Sequence, residues 1–163
     1  MWPAWKKPAP FIRWDEKAQK TYPEVELLKQ VKNVGELIVL TYVLNMDDPH
    51  RFRKSREAGC FVGCSRGGGT LGRANHRCTS ARRRPISADL LVQRAHYILG
   101  PFGEDGDLRR WGLKLAQRGG KNVKKRAVVA VARKLAVLLH RLWLGGEVYE
   151  PLRNSQRAVF AVT

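Results

Sequence analysis

At 163 residues and 44% apolar composition, the chain has material for one domain with a buried core and is too apolar to be disordered throughout. Its 31 Lys+Arg against 14 Asp+Glu leave a net charge of +17, far beyond what solubility asks, and a field of that sign attracts nucleic acid or anionic lipid. An odd cysteine count, three, excludes a fully paired disulfide scaffold and suits a reducing cytosol.

Residues 1–20 read as a leader and the remnant of an upstream helix. Pro3, Pro8 and Pro10 break MWPAWKKPAPFIRW, so no continuous apolar stretch is present for an export signal, and a short helical pattern spans Phe11 to Lys20. The domain is expected over residues 21–151. Thr21 is placed to cap a helix PEVELLKQV that carries acids at its start and Lys29 and Lys32 at its end. Asn33-Val34-Gly35-Glu36 then turns the chain into a second apolar helix through Leu37, Ile38, Val39, Leu40 and Tyr42. Gly35 tolerates positive φ, and Asn33 is the next most tolerant type. A hairpin of this kind aims N–H groups of its second helix outward, a socket for a phosphate oxygen; the same pattern also serves as an ordinary hairpin in a small bundle.

Asp47-Asp48-Pro49 predicts a capped turn opening a helical segment HRFRKSREAGCFVG. Residues 64–88, CSRGGGTLGRANHRCTSARRRPISA, offer almost nothing to bury and read as a disordered loop. Helical patterning resumes in DLLVQRAHYILG, stops at Gly100-Pro101, and returns in DLRRWGLKLAQR, where Asp107 is placed to cap and Trp111 and Leu115 stand four apart. Tyr97 and Trp111 both fall in apolar patterns and are expected in the core.

The longest periodic run is KNVKKRAVVAVARKLAVLLHRLWL, Lys121 to Leu144. At 3.6 residues per turn, Val128, Val131, Leu135, Leu138, Leu139 and Leu142 share one arc, while Arg126, Arg133 and His140 recur every seven residues on the other side. Gly145-Gly146 ends the run, and residues 152–163 form a tail. Each of Arg133, Lys134 and Arg141 at bilayer depth would cost roughly 2.5–3.5 kcal/mol, so a membrane span is not expected. The whole predicts an all-α domain with a hairpin element and a long amphipathic C-terminal helix.

Four blocks together resemble one family, the bacterial insertion-sequence transposases of the IS-one-ten class (the DEDD type, related to the pilin-gene invertase). They are YPEVELLKQVKNVGELIVLTYVLNMDDPHRFRKSREAGCFVG, LLVQRAHYILGPFG, DLRRWGLKLAQRGGKNVKKRAVVAVARKLAVLLHRLW and GEVYEP, in the order of the C-terminal transposase domain. The resemblance implies DNA transposition guided by a structured RNA, in a bacterial cytoplasm. It also implies an N-terminal acidic domain that holds Mg²⁺ for phosphodiester chemistry, and a nucleophilic serine in the C-terminal domain. This sequence departs from the pattern twice. Only about 20 residues precede the matching region, and Leu71-Gly72 stands where the family has Ser-Gly. Compensating frameshifts around residues 64–88 would explain the abrupt loss and recovery of match, which the nucleotide sequence tests.

Ser65 is the serine nearest the expected place, with no general base or activating group beside it. Cys60, Cys64, His76 and Cys78 have the donors for a tetrahedral zinc site, but C-x3-C, then eleven intervening residues, then H-x-C fits no common pattern. No cofactor is therefore expected in this chain, with Mg²⁺ reserved for the intact family enzyme. The residues expected to meet phosphate are Asn33 and Gly35 in the hairpin, Arg109, Arg110, Lys114 and Arg118 on one helix, and Lys121, Lys124, Lys125, Arg126, Arg133 and Arg141 on the next. The expected partners are DNA, a structured guide RNA, and full-length transposase or a second copy, with no membrane. The expected function is a DNA-binding transposase fragment, inactive as a nuclease alone; the alternative is a stand-alone nucleic-acid-binding or regulatory protein of the same element.

Overall fold

A computed structural model describes residues 21–32, 34–62 and 86–153. Six α-helices occupy them: α1 (Glu24–Lys29), α2 (Glu36–Met46), α3 (Ser55–Phe61), α4 (Ile86–Leu99), α5 (Asp107–Ala116) and α6 (Val123–Gly145). A short 3-10 helix, Pro49–Arg51, lies between α2 and α3, and there is no strand among the described residues. The all-α expectation holds. Ser65, Cys64, His76, Cys78 and Asn33 lie outside the described residues.

The long helix is the axis of the domain. α4, α5, α3, α1 and the 3-10 helix all pack against α6, and α2 reaches it through the buried Tyr42 hydroxyl, which donates to the Ala136 carbonyl at 2.7 Å. Being covered from several sides widens its buried arc beyond a single stripe. Ala127, Val128, Val131, Ala132, Leu135, Ala136, Leu139, His140 and Leu142 are all buried, and the three alanines let neighbouring backbones approach closely. Leu138, expected in that arc, is only half-buried. At the C-terminal end Gly146 adopts φ 59° and returns its N–H to Leu142, as the diglycine predicts.

Two close approaches fix the crossings. A Cβ on Gly112 of α5 would sit 2.6 Å from both Leu99 Cδ2 and Val131 Cγ2, so hydrogen at that position lets α5 settle between α4 and α6. A Cβ on Gly59 of α3 would meet Val137 Cγ2 at 3.2 Å and Arg133 Cγ at 3.3 Å, so α3 lies nearly backbone-to-helix on α6.

Several local expectations are corrected. Thr21 does not cap α1, because Pro23 occupies the N-cap and makes no side-chain cap bond. Asp107 is the first helical residue of α5, not its cap, and its N–H goes to the Pro151 carbonyl at 2.8 Å. The predicted single helix over residues 50–63 is two pieces. Asp48 caps the 3-10 helix by accepting from His50 N at 2.8 Å, then extended backbone around Phe52–Lys54 separates it from α3. Residues 86–88, read as part of the loop, are the first turn of α4. Ser87 and Ala88 are buried there, and Ser87 Oγ accepts from Asn45 Nδ2 at 2.5 Å.

α2 is apolar on both sides. Val39, Tyr42, Val43 and Met46 face the core, while Leu37 and Leu44 on the opposite side are 63% and 55% exposed. No helix among the described residues is long and apolar enough to cross a membrane.

Candidate nucleic-acid interface

The turn between α5 and α6, Arg118-Gly119-Gly120-Lys121-Asn122, is built from backbone that most side chains avoid. Gly119 and Gly120 have φ of 72° and 104°, and Asn122 has φ 64°. Asparagine tolerates that left-handed conformation better than most residues, and here it serves as N-cap without a side-chain bond. The turn folds the chain back on itself, so the last turn of α5 and the first of α6 come together. Lys114, Arg118, Lys121, Lys124, Lys125 and Arg126 are all exposed there, and none makes an ion pair among the described residues.

The electrostatics of this end are unusual for a helix start. The first turn of α6 carries no acid, and three cations stand where the helix dipole already places about half a positive charge. Each such cation costs roughly 0.3–1 kcal/mol at low salt, tolerable because the rest of α6 is deeply packed. First-turn N–H groups and unpaired cations share this end of α6, and a phosphate oxygen is a partner for both.

The other predicted contacts do not join this surface. Arg109 is turned inward: its Nη1 donates to the Ile98 carbonyl at 2.7 Å and the Gly100 carbonyl at 2.6 Å, closing the end of α4. A fixed cation at a helix C-terminus is well placed, but it is a structural clamp. Arg110 grips Asp105 through two bonds, Nε to Oδ1 at 3.0 Å and Nη2 to Oδ2 at 2.5 Å. Those bonds and the Arg110 charge hold the Asp105 carboxyl below its usual range. Arg133 lies under α3, with Nη2 donating to Cys60 Sγ at 3.0 Å. Arg141 is exposed but near the far end of α6, where with Lys134, Leu138 and Tyr149 it lines a half-open groove of about 500 Å³.

Gly35 departs from the hairpin expectation. Its φ is −78° with extended backbone, and a Cβ there would meet nothing within 4 Å, so the turn does not demand glycine. The start of α2 already carries a carboxylate, Glu36, whose Oε1 lies 3.2 Å from Lys29 Nζ. That acid competes with any phosphate at the socket.

Tyr97, expected in the core, is 43% exposed and lies under the Arg94 guanidinium, 4.6 Å from the ring centroid. Trp111 packs on the core as predicted, with Lys134 Nζ 4.1 Å above its ring. Burial there pushes the Lys134 amine below the usual lysine range, against the attraction of Asp107. His140 is not part of a cationic face. It is fully buried, with Nε2 2.9 Å from the Pro49 carbonyl, its ring against Phe52, and no partner at Nδ1. The stripe Arg126–Arg133–His140 is therefore exposed only at its N-terminal member.

One group of cations escaped the reading of the sequence. Arg51, Arg53, Lys54 and Arg56, in the extended link and its flanks, are all exposed and make no ion pair among the described residues. The signal was present in HRFRKSRE, but read as one helix its charges scatter around the axis.

Of the proposed zinc ligands, Cys60 is described, half-buried on α3. No group of three His, Cys, Asp or Glu able to hold a metal is found among the described residues. Compared with protein families, curated proteins and solved structures, the chain matches none.

Proposed function

We propose that this domain grips the phosphate backbone of nucleic acid, as the DNA-binding part of an insertion-sequence transposase that does not cut by itself. The observation that carries the reading is the α5–α6 turn, where six exposed cations without ion-pair partners gather at a helix start holding no acid. Backbone contacts of this type position a protein without selecting sequence. The transposase context rests on the four ordered sequence blocks, whose family expects a structured guide RNA and an acidic Mg²⁺-binding partner domain for the chemistry. In this reading the chain contributes grip, and strand breakage requires full-length transposase.

The test is fluorescence anisotropy with duplex DNA across a salt series, comparing wild type with Lys124→Glu/Lys125→Glu/Arg126→Glu. Each lost phosphate contact flattens log K against log salt by about 0.9, so three lost contacts flatten it by nearly 3. An unchanged slope removes this surface from consideration. Metal-dependent DNA breakage by the isolated chain would refute the claim that it binds without cutting. A strand-exchange assay with and without full-length transposase tests the context.

A further inference from the structure

We infer that the link between the 3-10 helix and α3 is a second phosphate-binding patch, and that one nucleic-acid backbone bridges it to the α5–α6 turn. This rests on the binding function proposed above and adds to it a footprint of defined length. Three observations converge. Arg51, Arg53, Lys54 and Arg56 place four exposed cations within six residues, flanked by Asp47 and Asp48 on one side and Glu57 on the other. Arg51 is held by stacking, its Cζ 5.0 Å from the Phe61 centroid and 5.9 Å from that of Phe52, and those rings pack on each other at 5.2 Å. A guanidinium ordered this way loses less side-chain entropy on binding than a free one.

The third observation is the direction of the patch. The 3-10 helix and α3 cover α6 at Arg133, Val137 and His140, through the Pro49 carbonyl and the Gly59 backbone. On a helical projection those residues fall within about 60° of Arg126, so the covering elements lie on the side from which Arg126 points. Where α6 loses its own cationic stripe to burial, the elements that bury it carry replacement charges to the outside. From Arg126 to His140 is about 21 Å along the axis, fourteen residues at 1.5 Å each. The cover begins at Arg133, about 10 Å from Arg126, and one strand advances about 3.4 Å per phosphate, so about three to six phosphate steps join the patches. At that separation, beyond a Debye length at physiological salt, the patches feel each other only weakly. A backbone long enough to reach both gains through tethering.

The experiment uses the full chain and DNA hairpins with stems of 4, 6, 8, 10 and 12 base pairs, with RNA hairpins of the same lengths in parallel. The expected result is a step of at least about tenfold in affinity between the 4- and 8-base-pair stems. Arg53→Ala/Lys54→Ala/Arg56→Ala should abolish the step while lowering affinity for the 4-base-pair stem by no more than about twofold, the share of short stems the second patch holds by itself. Arg51 stays in place in that variant because it packs on the phenyl rings, and circular dichroism confirms that the fold is intact. Binding that rises smoothly with length in both proteins overturns the bridge, as does a variant weakened equally on short and long stems. Absence of binding to every stem defeats the underlying function and the bridge together, so the two failures are distinguishable. The DNA and RNA arms show which backbone geometry spans the patches better.

Discussion

Gly112 offers the sharpest test of how the helices cross. Glycine inside an exposed helix costs about 0.8–1.0 kcal/mol relative to alanine, so on propensity alone Gly112→Ala should stabilise the protein. The structure argues the opposite sign. The new Cβ would lie 2.6 Å from Leu99 Cδ2 and 2.6 Å from Val131 Cγ2, where carbon pairs settle at about 3.5–4.0 Å. Leu99 is half-buried and can rotate, but Val131 is fully buried on the central helix and β-branched, which leaves it essentially one rotamer. Forcing a methyl into such a contact costs about 1–3 kcal/mol, with this site toward the upper part of that range. Net of the propensity gain, Gly112→Ala is expected to destabilise by about 1–2 kcal/mol. In a chain of this size that is a drop of roughly 2–8 °C in Tm, read by thermal circular dichroism or calorimetry. Combining it with Val131→Ala should recover at least about 0.5 kcal/mol relative to the sum of the single effects. A Gly112→Ala protein more stable than wild type would refute the crossing.

Three further outcomes follow from the internal contacts. Arg109→Ala should destabilise by about 1.5–3 kcal/mol through loss of a charged donor to two carbonyls, yet leave the salt slope of DNA binding unchanged; a flattened slope would return Arg109 to the phosphate surface. Tyr42→Phe should cost about 1 kcal/mol in urea unfolding, because the Ala136 carbonyl loses the hydroxyl that donates to it. Burial of Lys29 opposes its charge, but hydrogen bonds from its ammonium to Glu26 and Glu36 prevail and hold it above the ordinary lysine value of 10.5, whereas burial puts Lys134 below it. The Lys29 contribution is present below the unfolded value and lost as pH rises through the folded one, so alkali should loosen the α1–α2 hairpin. Lysine-resolved NMR titration should find Lys134 titrating before Lys29, and the reverse order would refute both environments.

What the chain determines by itself is its helices. The spacing of Val128, Val131, Leu135 and Leu139 fixes a buried face for α6, and Gly146 ends it, because both are local properties of a 3.6-residue repeat and of backbone freedom. The cationic α5–α6 turn was legible for the same reason: its glycines, its asparagine and its lysines are neighbours in sequence. What pattern alone could not decide was which charges remain available. Arg109, Arg133 and His140 look as cationic in sequence as Lys124, but the first clamps the end of α4, the second lies beneath α3, and the third is buried against Pro49. Helical periodicity reports two faces, whereas α6 is packed from several directions, and only tertiary packing settles how much of the polar face is covered. The same packing turns Arg53, Lys54 and Arg56 outward, through an extended link that the local pattern read as helix. Local sequence sets where a charge sits on its own element; its neighbours in space decide whether a phosphate can reach it.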